Sequence, residues 1–66
     1  MITINNRDRV PWYEGLTVRD ILETMRYTYP QLVVTINGSV VLEGAYDTQP
    51  IPDNADVRVI HLMAGG

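Results

Sequence analysis

Apolar and polar residues alternate at the start of the chain. Ile2 and Ile4 fall on one side, Thr3 and Asn5 on the other, the pattern of a strand with one buried face. Asn6-Arg7-Asp8 reads as a turn, and Arg9–Tyr13 as a returning strand. Pro11 has no N–H to give a ladder, so it predicts an edge position for that strand. After the Glu14-Gly15-Leu16 loop the period changes. Val18, Ile21, Leu22 and Met25 recur at helical spacing. Thr17 and Asp20 stand where a capping box needs its N-cap and third-position side chains. The expectation is one helix over Thr17–Tyr27, ended before Pro30.

Leu32–Asn37 lacks polar alternation, which predicts a central strand covered or partly covered on both faces. Asn37-Gly38 is a tight-turn signal, and Val40-Val41-Leu42 is the return strand. Glu43 to Asn54 holds Gly44, Pro50, Pro52 and Asp53. It predicts a loop with room for one short helical turn. Asp56–Met63 is the last strand, with Val57 and Val59 on one face and Arg58, Ile60 and Leu62 on the other. The order is hairpin, helix, hairpin, loop, strand. With 66 residues there is material for one core, so the final strand must join the same sheet. The expected fold class is α+β: a mixed four- to five-stranded sheet with one main helix packed across it.

Composition removes several functions. Net charge is −3, with five arginines and no lysine, which disfavours nucleic acid, bound mainly by neutralising phosphates. An acidic surface suits a partner with a basic docking face. No cysteine is present, so side-chain thiol chemistry and Cys-held clusters are excluded, and the single His61 makes no zinc site by itself. No stretch matches the ~20 apolar residues of a membrane span. The N-terminus carries no secretion signal, so the expected location is cytoplasmic. No phosphate loop, nucleophile elbow or paired carboxylates appear, and no resident metal or cofactor is expected.

Candidate chemistry sits at the end of the chain. A single domain over residues 1–63 is expected, followed by the flexible tail Ala64-Gly65-Gly66. Glycines without side chains can lie extended in a narrow channel of a partner enzyme, and they carry an unhindered carboxylate at Gly66. The bland alternative is a frayed end. From spacing and composition alone, both readings stand. Ile60, Leu62 and Met63 would form an apolar docking patch beside the tail, with Arg58 on the same face; the alternative is a face partly covered by a loop. His61 reads as a core or edge histidine. Trp12 and Tyr13 read as packing on the hairpin or closing one end of the core.

The chain resembles the ThiS family of sulfur carriers and the wider ThiS/MoaD group. The resemblance spans essentially the whole chain. It is carried by Thr17-Val18-Arg19-Asp20-Ile21-Leu22, Val34-Thr35-Ile36-Asn37-Gly38, Val40, Val41, Pro52-Asp53-Asn54-Ala55-Asp56-Val57 and the final Gly65-Gly66. Where the family often has Asp-Gly-Asp before the last strand, this chain has Asp53-Asn54-Ala55-Asp56; Asn54 can take the left-handed geometry that glycine would.

The resemblance implies a ubiquitin-like β-grasp fold and a protein cosubstrate rather than an enzyme. Gly66 would be adenylated by a ThiF- or MoeB-like enzyme that uses ATP. A sulfur-donor relay would then leave a thiocarboxylate, and thiazole synthase, or another sulfur-accepting synthase, would take the sulfur. The alternatives are the small subunit of molybdopterin synthase, a carrier for another sulfur pathway, and, in a different class, a β-grasp interaction module or a protein modifier.

Overall fold

The computed structural model describes residues 1–27 and 32–61, with His61 described by its backbone alone. Strand β1 (Ile2–Ile4) pairs antiparallel with β2 (Asp8–Val10). The strand β2 stops where Pro11 follows, shorter than the expected Arg9–Tyr13, because a residue without an N–H does not extend the ladder. Helix α1 covers Val18–Thr24. Strands β3 (Leu32–Ile36) and β4 (Ser39–Val41) form the second hairpin. A 3₁₀ turn over Glu43–Ala45 sits in the loop, as its composition suggested, and β5 (Asp56–His61) closes the sheet.

The sheet order is β2-β1-β5-β3-β4. Strand β5 lies parallel to β1 and antiparallel to β3. The last strand therefore enters the middle of the sheet, between the two hairpins. Strand β3 is interior but not central, and its coverage is partial: Val34 and Ile36 are buried, while Val33 and Thr35 are half-exposed. This is the β-grasp arrangement.

One face of the sheet meets α1. Ile2, Ile4, Val34 and Val57 lose essentially all their solvent exposure there, packed with Val18, Ile21 and Leu22 of the helix. Each such burial stabilises by about 1.5–3 kcal/mol. The turns use left-handed residues as their geometry demands. Asn37 (φ 50°) and Gly38 (φ 87°) make the two-residue hairpin turn. Asn54 (φ 62°) takes the position anticipated for it, with its N–H donating to Asp53 Oδ1 at 2.8 Å. The N-terminal ammonium sits 2.8 Å from that same carboxylate oxygen. This hydrogen bond is the main reason the Asp53 carboxyl titrates below the usual aspartate range.

The helix begins as its sequence directs. The Thr17 side chain accepts from the Asp20 N–H at 3.4 Å, and Asp20 Oδ2 accepts from the Thr17 N–H at 3.0 Å. The regular helix ends earlier than Tyr27. Met25 is its C-cap, and Arg26 turns left-handed at φ 58°. The Tyr27 N–H then reaches back to the Leu22 carbonyl at 2.9 Å and the Arg26 N–H to that of Glu23 at 3.1 Å. This paired closure consumes the carbonyls that a further turn would have used.

Trp12 closes the end of the core near the loops. Its indole N–H donates to the Ile51 carbonyl at 2.6 Å, joining β2's exit to the segment before β5.

Candidate docking face and C-terminal end

Side chains directly opposite one another in neighbouring strands point to the same face. Across β5 and β3 the register places Arg58 opposite Thr35 and Ile60 opposite Val33. Across β3 and β4 it places Thr35 opposite Val40. These residues alternate with buried Val57, Val59, Val34 and Val41, so they occupy the face turned away from α1. Leu42, still extended at ψ 147°, continues the outward parity of Val40. The outcome is an open apolar surface: Ile60 is 49% exposed, Val40 64% and Leu42 75%.

The expected parity therefore holds for Val57, Arg58, Val59 and Ile60, and Ile60 is half-exposed. Arg58 shares the open face but is not simply solvated; its Nη2 lies 3.3 Å from Asp56 Oδ2 on the same strand. Leu62, Met63, Ala64, Gly65 and Gly66, the remaining candidate residues, lie outside the described residues. Val33, Val40 and Leu42 belong to the surface and were missed as candidates. Their signal was present in the Asn37-Gly38 turn, which fixes the β3–β4 register and hence which valine faces outward. No metal-binding cluster occurs among the described residues, and no helix among them is long and apolar enough to cross a membrane.

Several contacts hold the end of β5 in place. Strand β1 stops at Ile4, and Asn5 turns left-handed at φ 54°. Its N–H still reaches the Val57 carbonyl at 2.9 Å, and its Oδ1 accepts from the Val59 N–H at 2.8 Å. Beyond that point β5 is paired through β3 alone, up to Leu32 opposite His61. The described part of this middle strand ends at the side of the sheet where α1 also finishes; Asn5 Nδ2 donates to the Tyr27 hydroxyl at 3.3 Å.

The comparisons agree with this geometry. The chain matches the ThiS family over residues 2–66. It is similar to the crystal structure of the thiamine biosynthesis protein ThiS from Geobacter metallireducens. Identity is 27%, with 98% of this chain and 97% of that chain covered, at a TM-score of 0.79. A family match that runs through the final glycine, on a β-grasp domain whose last described strand lies at the centre of the sheet, means that this protein belongs to the ThiS family.

Proposed function

We propose that this protein is a sulfur carrier for thiazole formation in thiamine biosynthesis, and that the Gly66 carboxylate is its working group. The observation that carries this reading is the family match extending to residue 66. The protein acts as a cosubstrate. A ThiF-like partner supplies the catalytic groups and the ATP: one carboxylate oxygen attacks the α-phosphorus, pyrophosphate leaves, and an acyl-adenylate remains. Sulfur from the donor relay then attacks the acyl carbon and AMP leaves with that oxygen: hydrosulfide gives the thiocarboxylate directly on loss of its proton, whereas a persulfide gives an acyl disulfide whose S–S bond a relay thiol reduces, releasing the thiocarboxylate and a disulfide. Transfer of the sulfur to the synthase's substrate, in exchange for an oxygen from that acceptor or from water, returns the carboxylate.

Residues 1–63 serve as the folded handle and Ala64-Gly65-Gly66 as the tail that enters the partner's channel. Glycine is suited to such entry because no side chain blocks close approach. Ile60 with Val33, Val40 and Leu42 supplies the apolar centre of the docking face, with Leu62 and Met63 continuing toward the tail and Arg58 at its side.

The test is intact-protein mass spectrometry after incubation with ATP, a ThiF-type enzyme and a sulfide source. Exchange of one oxygen for sulfur at Gly66 is expected. Thiocarboxylate formation in a variant lacking Gly66 would contradict the assignment.

A further inference from the structure

All four asparagines of the chain stand in left-handed geometry, but Asn37 alone precedes a glycine. That pairing carries a chemistry of its own. The Gly38 backbone nitrogen, with no side chain beside it to block approach, can attack Cγ of the Asn37 amide. The Gly38 proton and the side-chain NH2 leave together as ammonia, and a five-membered succinimide remains. Water then opens the ring at one of its two carbonyls. Opening at Cγ gives aspartate. Opening at the main-chain carbonyl gives isoaspartate, whose main chain runs through Cβ and Cγ and is longer by a carbon. Asn37 and Gly38 are both exposed, so water reaches them.

The fold holds this reaction off in two ways. Asn37 sits at φ 50°, in the left-handed region. In that region, with ψ about +47°, the next nitrogen stands roughly anti to Cβ about the Cα–C bond, whereas ring closure needs the two eclipsed. The side chain is also tied down. Its Oδ1 accepts from the Asp56 N–H at 2.9 Å, while the Asn37 N–H donates to the Asp56 carbonyl at 2.9 Å. Strand β5, which carries Asp56, lies on one side of β3; β4, into which Gly38 leads, lies on the other. The Asn37 amide is therefore held toward β5, away from the nitrogen that would attack it. The turn must open before the ring can form.

We infer that Asn37 is a site of spontaneous deamidation gated by local opening of the β3–β4 hairpin, and that its isoaspartate product cannot reclose the turn. Strand β4 is a three-residue edge strand paired through β3 alone, the kind of element that opens ahead of the rest of a domain. The added carbon has no place in a two-residue turn that sets Ile36 opposite Ser39 and Thr35 opposite Val40. The aspartate product is milder. It keeps an oxygen for the Asp56 N–H but adds a negative charge beside Asp56, whose Oδ1 is shut from solvent with no hydrogen-bond partner among the described residues. The modification is independent of the Gly66 chemistry, and its test does not use it.

The experiment ages the full chain at body temperature and mildly alkaline pH, folded and in concentrated guanidinium. Peptide mapping follows each asparagine, with fragmentation that separates aspartate from isoaspartate. Exchange of NH2 for OH is expected at Asn37 ahead of Asn5, Asn6 and Asn54, and at least about tenfold faster in the unfolded chain. Val40→Gly weakens β4 from its exposed face and should quicken the folded-state reaction about fivefold. Thr17→Ala weakens the domain from the helix start and should leave that rate within about twofold. In its NMR spectrum the purified isoaspartate form should lose the contacts between β3 and β4 and keep those between β1 and β2.

Equal rates in the folded and unfolded chains would remove the gate. Equal quickening by Thr17→Ala and Val40→Gly would replace hairpin opening with global unfolding. Faster reaction at another asparagine would remove the site, and an isoaspartate form with its β3–β4 contacts intact would overturn the claim about the turn.

Discussion

Asn5 completes the ladder of a strand it does not belong to: its side-chain oxygen accepts from the Val59 N–H at 2.8 Å, one step past the end of β1. A side-chain amide here does what a further β1 residue would do, while the backbone is already turning away. Asn suits both tasks, since it tolerates φ 54° and carries the acceptor. Asn5→Ala should therefore cost about 1–3 kcal/mol, from a partly buried N–H left without its partner and from left-handed strain on alanine. Hydrogen exchange of the Val59 amide should quicken more than that of Val57. Equal acceleration across β5 would mean the bond contributes only to global stability.

Thr17 and Asp20 define the start of the helix through a reciprocal pair of hydrogen bonds. Thr17→Ala should lower stability by about 1 kcal/mol. For a domain this size that shifts the melting temperature by about 4–8 °C. Thr17→Ser should retain most of it. An unchanged melting temperature in the alanine variant would show that packing of Ile21 and Leu22 alone sets the helix start.

Tyr46 is buried beside the helix, and its phenol titrates above the usual tyrosine range, first because of burial and second because Glu43 is near. A raised folded-state pKa favours the protonated phenol in the native state. Its stabilising effect is complete below the unfolded value of about 10 and is lost as pH rises through the folded value. Tyr46→Phe should thus unfold less steeply than the wild type above about pH 10. Identical alkaline limbs in chemical denaturation would contradict this role.

Most of the architecture is legible along the chain, for identifiable reasons. The Ile2/Ile4 alternation, the Val18-Ile21-Leu22 stripe, the Thr17–Asp20 box and the Asn37-Gly38 turn are local signals, and each formed the element it predicts. What was not legible depended on tertiary contacts. Nothing between Thr24 and Tyr27 announces that Arg26 closes the helix, because glycine is the expected residue there. The central place of β5 follows from two hairpins needing a common neighbour, a constraint no single segment carries. Of the docking face, Arg58 and Ile60 were readable from parity within β5. Val33, Val40 and Leu42 required the register between strands.

Ile60 is half-exposed on the open face and faces no helix, so its side chain contributes little to the core. Ile60→Lys should change stability by about 0.5 kcal/mol or less, as surface substitutions do. If the face docks the adenylating partner, the same change should raise KM for the carrier about tenfold or more through lost apolar contact and an unpaired charge in the interface. Unaltered KM with a folded variant would move the docking surface elsewhere.

The central claim is that Gly66 carries the sulfur, and intact-protein mass spectrometry with ATP, a ThiF-type enzyme and sulfide tests it most directly. The account predicts exchange of one oxygen for sulfur, mapped by fragmentation to the terminal glycine and abolished by deleting Gly66 or by adding one residue after it, with the fold unchanged by circular dichroism. A sulfur-free mass in the wild type, with the enzyme shown to be active on another carrier and bound to this one, would contradict it.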